Sequence, residues 1–388
     1  MIPKPIDEIS VADIKSLIEN HVSEGRQIEY KLTLPDQTYD QRKEFLADVS
    51  SFANSEGGDL IFGVRENGGV PTEIAAITLQ NLDEEILRFE NLIRDGISPR
   101  VALRIHPINQ DEGFLVVIRI TRSWNKPHRV IYRGHDKFYS RNSRGKYELD
   151  VDDLRYMFGG SELTAREIDR FVQQRIDEIL NDDSFVSLGS GAKLALHIVP
   201  LDAFRPGTSH PVLEITKEDL PPLYCLGASE QINLEGHLIY CTAGSGDYLA
   251  YVEMFRNGII ESVSASMFMN VFEMSKKEIV GVFVESQILE SLPKYLGAYW
   301  KLGVQTPIGI CLSFVGVEEY RFSTYSGSMK IKESKPFGRQ LLRLPLQIVE
   351  DLNQTPEKIM KPLFDLMWNS FGYRKSANYD DQGHWKAM

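Results

Sequence analysis

Gln27-Ile-Glu29-Tyr-Lys31-Leu32, Gln41-Arg-Lys-Glu-Phe45-Leu-Ala-Asp-Val49-Ser-Ser-Phe52-Ala-Asn54 and Leu60-Ile-Phe-Gly63-Val64 follow one another with three different periods. The first alternates in character, as a strand does, and puts Glu29 and Lys31 on one face with Ile28, Tyr30 and Leu32 on the other. The second repeats Phe45, Leu46, Val49, Phe52 and Ala53 at intervals of three and four, the stripe of an amphipathic helix. The third is continuously apolar, which a strand covered on both faces requires. Gly57-Gly58 ends the helix, and Asn67-Gly68-Gly69 makes a turn after the buried strand. Strand, helix and strand in this order form one crossover unit.

Outward from this unit, Ile9, Val11, Ile14, Leu17 and Ile18 carry a helical stripe behind Ser10 as N-cap. On the other side come a helix over Leu82 to Asp95, a strand over Val101 to Pro107 and a turn at Asp111-Glu-Gly113. A strongly apolar strand from Phe114 to Ile120 follows, then a turn and strand around Pro127 to Phe138 and a short helix from Asp150 to Phe158. A polar helix from Ser161, striped by Ile168, Phe171, Val172, Ile176 and Ile179, runs into Asn181-Asp-Asp-Ser. Beyond it, Lys193 to Pro200, His237 to Thr242, Tyr248 to Phe255 and Ile308 to Phe314 read as strands, while Lys277 to Leu302 and Leu346 to Phe371 carry helical patterns. The expectation is an α+β chain: a mixed-sheet domain over 1–160, a linking helix over 161–184, a second α+β domain over 185–375 and a polar, disordered tail over 376–388.

The 388 residues, 42% apolar and 25% charged, suit two soluble domains. No apolar run is long enough to span a bilayer and Met1-Ile-Pro-Lys-Pro lacks a signal-peptide core, so a cytoplasmic protein is expected. Cys225, Cys241 and Cys311 have no metal-site spacing and are expected to be small core residues rather than a disulfide framework. A net charge of −12 argues against a general nucleic-acid coat, yet positive charge is concentrated. From Arg119 to Lys146 the run Arg119, Arg122, Lys126, Arg129, Arg133, Lys137, Arg141, Arg144 and Lys146 meets the single acid Asp136.

Two constellations carry chemistry. Glu24 and Glu29 lie five apart and Glu66 follows the buried strand, so three carboxylates can converge at strand ends. An all-oxygen cluster suits Mg²⁺ or Mn²⁺, ions able to polarise a phosphoryl oxygen, with Lys31 to stabilise the charge developing on phosphate. The bland alternative is a set of solvated surface acids. In the basic run, Arg122, Lys126, Arg129, Lys137, Tyr139, Arg141, Arg144 and Lys146 are the candidate nucleic-acid contacts, since guanidinium forks match phosphates and aromatic rings accept bases. The alternative there is salt bridging to the surplus acids. Gly189-Ser-Gly191 and Gly244-Ser-Gly246 do not fit a phosphate loop, no GxSxG elbow is present, and His197 and His237 lie in apolar strand contexts.

Glu24-x4-Glu29-Tyr-Lys31, Phe52-Ala-Asn54-Ser-Glu-Gly57-Gly58-Asp-Leu-Ile-Phe-Gly63-Val64 and Phe138-Tyr-Ser-Arg141-Asn142-Ser together resemble the Schlafen AlbA_2 domain over roughly residues 15 to 158. The resemblance implies a metal-dependent endoribonuclease acting on tRNA or other structured or single-stranded nucleic acid. Glu24, Glu29 and Glu66 would be its acidic triad and Lys31 its cationic neighbour. It further implies a role in anti-phage defence and, because the motif occurs once, a homodimer that completes a two-lobed groove. The chain departs from the family in carrying Arg65-Glu66 where aspartates are usual, and Arg65 would compete for the site. The alternatives are a non-catalytic nucleic-acid-binding regulator and a structural subunit of a defence assembly.

Overall fold

The computed structural model describes residues 1–386 apart from 79–80, 111–112, 190, 269–276, 327–328 and 353. It divides into two units, Met1–Leu163 and Thr164–Met388. In the first, the order is α1 (Val11–Glu19), β1 (Ile28–Lys31), α2 (Tyr39–Asn54), β2 (Gly58–Phe62), β3 (Val64–Asn67), β4 (Val70–Ile74), α3 (Leu82–Gly96) and β5 (Ile97–Ser98). There follow β6 (Leu103–Gln110), β7 (Gly113–Ile120), β8 (Arg129–Tyr132), β9 (His135–Asn142), β10 (Gly145–Glu148) and α4 (Val151–Asn181), within which the division between the units falls.

The expected crossover is present: β1 and β2 pair in parallel, Ile28 opposite Asp59 and Lys31 opposite Phe62. Antiparallel β7 and β6 complete a mixed sheet in the order β1-β2-β7-β6, and a second, antiparallel sheet has the order β10-β9-β8-β5. The apolar run in β2 has a simple cause. Leu60 and Phe62 pack with Phe45, Val49 and Phe52 of α2 and Phe89 of α3, while Ile61 between them packs with Ile14, Ile28 and Tyr30 on the opposite face.

The Asn54-Ser-Glu-Gly57 motif is a joint between the two sheets. The Asn54 amide donates to the carbonyls of His128 (2.9 Å) and Tyr139 (2.8 Å), and its oxygen accepts the His128 N–H at 2.6 Å. Gly57 has φ +71° and a Cβ there would stand 2.7 Å from the Arg122 nitrogen, so only glycine lets the chain turn back against β7. The expected continuous strand Leu60–Val64 is instead broken at Gly63, φ +87°, and Val64 begins the β3–β4 hairpin with its turn at Gly68-Gly69.

Two expectations need correcting here. The region Pro127 to Phe138 is not one strand, because Arg133-Gly134, both at positive φ, turns β8 into β9 and a further turn leads into β10. The helices on either side of Gly159-Gly160 are one helix, α4, whose start is capped by Asp150 accepting the N–H groups of Asp152 and Asp153. The glycine pair lowers helix propensity without forbidding helix. Residues 111–112 of the turn expected before Phe114 lie outside the described residues.

The second unit contains β11 (Lys193–Pro200), β12 (Ser229–Ile232), β13 (Gly236–Thr242), β14 (Tyr248–Phe255), β15 (Ile260–Ser264), β16 (Glu278–Val280), α5 (Gly281–Leu302) and β17 (Ile308–Val315). It ends with β18 (Arg321–Ser326), β19 (Met329–Glu333), β20 (Leu341–Arg343), β21 (Gln347–Val349) and α6 (Pro356–Ser370). The main sheet has the order β12-β13-β14-β15-β11-β17-β20 with β21 also on β17, and the apolar sides of α5 and α6 share a core with it. The helical patterns expected from Lys277 and Leu346 thus begin later than expected, each behind a short strand.

Cys225 and Cys241 are joined as a disulfide, their Cα atoms 6.3 Å apart, so of the three cysteines only Cys311 keeps the expected role of an unpaired core residue. Residues 376–386 of the tail, expected to be disordered, are packed into the second unit. Their polar side chains are occupied by Glu285 of α5, which accepts from Ser376 Oγ (2.8 Å), Asn378 Nδ2 (2.7 Å) and Trp385 Nε1 (2.8 Å) as well as from Trp368 Nε1 (2.7 Å). Among the described residues no helix is long and apolar enough to cross a membrane.

Candidate functional site

The expected strand faces hold within β1, but Leu32, expected on the buried face, lies past the end of the strand and is exposed. Ile28 and Tyr30 are buried, and Glu29 and Lys31 lie on the other side of β1, beside α2 and β9. Lys31 Nζ donates to Glu29 Oε1 at 2.7 Å, and the second oxygen of Glu29 accepts from the Arg141 guanidinium. Arg141 is fully buried, lies 3.9 Å over the Phe52 ring and also donates to the Gly25 carbonyl at 3.1 Å. On the far side of Lys31 stands buried Asp48, 3.6 Å away. Lys146 closes the row, 2.8 Å from Asp48 and 2.6 Å from Glu44.

Glu24 and Glu66 meet at the β3–β4 turn. The Glu24 N–H donates to the Gly69 carbonyl at 2.7 Å, and the Gly69 N–H donates to Glu66 at 2.5 Å. The Glu24 carboxylate accepts the Tyr30 N–H at 2.8 Å. Burial raises the Glu24 pKa above the usual carboxylate range; the Tyr30 bond opposes this, and the charges of Glu29 and Glu66 add to it. Burial would raise Glu29 as well, yet Lys31 and Arg141 outweigh it and hold that group below its usual value. Lys31 is held charged in spite of burial by Asp48 and Glu29.

The three acids expected from sequence are therefore neighbours in charge. As placed they are not a ligand set for Mg²⁺ or Mn²⁺: both oxygens of Glu29 are taken by cations, and among the described residues no three such side chains are grouped to hold an ion. Arg65, expected to compete for the site, pairs with Glu73 across the hairpin at 3.1 Å instead, because β3 directs it to its cross-strand partner.

The basic run is divided in its roles. Arg119 is buried against Asp59 at 2.7 Å and also bonds the Ile2 carbonyl at 2.8 Å, fixing the N-terminal segment. Arg129 pairs with Asp136 at 2.9 Å and Lys137 with Glu148 at 2.6 Å, both exposed, while Arg141 and Lys146 reach into the acidic row. Arg122 and Lys126 precede β8, Tyr139 is in β9 with its ring stacked on His135 at 5.9 Å, and Arg144 is exposed at the β9–β10 turn. The site residues chosen from sequence did not include Glu44 and Asp48, although four-residue spacing puts both on one face of α2, or the stacked row of Tyr39, Lys43, Tyr132 and Arg133, although Arg133 belongs to the basic run. The Arg133-Gly134 pair between two alternating segments was the available signal for the last two.

The sequence model of the family Schlafen, AlbA_2 matches residues 24–150. One similar solved structure is the N-terminal domain of a protein described as related to the ATP-dependent DNA helicase RecG, from Nitrosomonas europaea. It is 19% identical, with a TM-score of 0.25 over 31% of this chain and 79% of that chain. A protein from Corynebacterium diphtheriae is 14% identical, with a TM-score of 0.26 over 36% of this chain and 26% of that one. No curated protein matches the chain.

Proposed function

Because residues 24–150 match the sequence model of the family Schlafen, AlbA_2, we propose that this domain engages nucleic acid, with a strand lying on the sheet β10-β9-β8-β5. The observation that carries this reading is the junction of the two charged features. Arg141 and Lys146, members of the basic run, end directly on Glu29, Asp48 and Glu44 of the acidic row. A polyanion attracted to the exposed basic residues at the turns of that sheet, Arg133 and Arg144, is thereby held beside this row.

Endoribonuclease activity dependent on Mg²⁺ or Mn²⁺, toward tRNA or other RNA, is the finer reading of the same site. It rests on the family likeness, which makes Glu24, Glu29 and Glu66 the acidic triad, and it requires Glu29 to exchange its bonds to Lys31 and Arg141 for the ion. A non-catalytic regulator is favoured instead by the internal neutralisation of Glu29. The full chain incubated with total tRNA, single-stranded RNA and single-stranded DNA, with Mn²⁺ or EDTA, separates them. Metal-dependent cutting that disappears in Glu29→Gln supports the nuclease. Salt-sensitive binding without cutting supports the regulator, and absence of both overturns the nucleic-acid reading.

A further inference from the structure

A cleft of about 450 Å³ opens beside Lys31, with Leu32, Pro35, Phe45 and Phe62 as apolar walls and Lys43 at its edge. Leu32 is 43% exposed, an unusual position for a leucine next to a row of charges. Asp40 and Glu44 stand on the rim and are largely exposed; Asp48 is buried and held by Lys146 and Lys31. Such a cleft does not suit a phosphate, which the rim acids repel. It suits a flat, neutral ring with amino hydrogens that those acids can accept.

From Lys43 a row of four side chains leads away from the cleft. Lys43 Nζ, also 3.2 Å from Asp40, lies 5.4 Å from the Tyr39 ring centre. Tyr39 stacks on Tyr132 with centres 5.8 Å apart and planes at 20°, and the Arg133 guanidinium lies 5.5 Å from the Tyr132 ring. The two ends are built independently. Tyr39 opens α2 behind the N-cap Thr38, and Arg133 sits at φ +46° in the tight β8–β9 turn, which projects it from the sheet. Aromatic faces accept any base, while long cationic side chains can leave a ring for the adjoining phosphate.

We propose that this cleft and the Tyr39–Tyr132 stack receive an unpaired nucleobase and its neighbour, so that the domain selects single-stranded over fully paired nucleic acid. The inference rests on the nucleic-acid reading above and narrows it: in a duplex the base faces are stacked and the edges paired, so neither surface could be used.

Fluorescence anisotropy tests it with one labelled oligonucleotide sequence, prepared as RNA and as DNA, each single-stranded or paired with its complement, in EDTA to prevent cutting. The expected result is about ten-fold tighter binding of a single strand than of its duplex. Tyr39→Ala and Tyr132→Ala should each weaken single-strand binding about ten-fold, as loss of one base stack does. Tyr132→Phe should leave it unchanged, and Leu32→Trp, which fills the cleft, should weaken it. Tyr39 is 37% exposed, so its alanine variant remains informative if Tyr132→Ala fails to fold. The RNA and DNA arms identify which strand supplies the base. Equal binding of duplex and single strand, or wild-type affinity in Tyr39→Ala and Leu32→Trp, overturns this proposal and leaves the nucleic-acid reading standing. No binding of any oligonucleotide removes both.

Discussion

Arg141 shows how far a single basic residue can lie from the role its type suggests. Its side chain is fully buried, stacked on Phe52 and bonded to Glu29 and the Gly25 carbonyl, so it ties β9 to both α2 and β1. Replacing it by alanine strands a mostly buried carboxylate with Lys31 as its remaining cation, and should cost about 3 kcal/mol in urea unfolding. Arg141→Lys should recover little of that, since an ammonium cannot reach two acceptors while lying flat on a ring. A lysine variant as stable as the parent would show the pair to be incidental. That Glu29 shares a face with Lys31 could be anticipated, because both alternate within β1. The burial of Arg141 could not be anticipated, because alternation in a strand tells which residues share a face and not which helix covers that face.

At the scale of elements, β14 and β15 oppose two acids, Glu253 across from Glu261, inside the main sheet of the second unit. Glu261 takes Arg175 at 2.7 and 2.9 Å, His197 at 2.8 Å and the Tyr251 hydroxyl at 2.8 Å, and these partners hold its pKa low against full burial. Among the described residues Glu253 has Asn233 as its one side-chain donor, at 2.7 Å, and burial, reinforced by the Glu261 charge, pushes it up to about 7. Glu253 thus binds its proton more tightly folded than unfolded. Its contribution to stability is fully present below about pH 4.5 and is lost as the pH rises through about 7, a change of roughly 3 kcal/mol at most. Thermal unfolding of Glu253→Gln should show that slope removed and the second unit more stable than the parent at pH 8; an unchanged slope would assign the effect elsewhere. Sequence periods located β11, β13, β14 and β17, which are apolar runs bounded by turns. They missed β12, β15, β16 and β18 to β21, of which β16, β20 and β21 are three residues long and leave no period to read.

On the scale of the chain, the last residues decide how much of the second unit is a closed structure. Composition marks 376–388 as a polar appendage, because nothing local reveals that Glu285, more than ninety residues earlier than Asn378, is a fully buried acceptor. Ser376, Asn378 and Trp385 provide three of its four donors, and Tyr379 between them is itself buried. Deleting residues 374–388 should therefore remove more than their own contacts: a buried carboxylate is left with Trp368 as its remaining donor, at a cost of about 3 kcal/mol or more. Thermal unfolding of the truncated chain should show this loss in the second unit. A second change separates the causes. Glu285→Met in the truncated chain should restore part of the stability by removing the stranded charge, whereas the same substitution in the full chain should be destabilising because it leaves the tail donors unmatched. If Glu285→Met has the same effect in both chains, the carboxylate and the tail are not coupled, and the segment is held by Tyr379 and its neighbours alone.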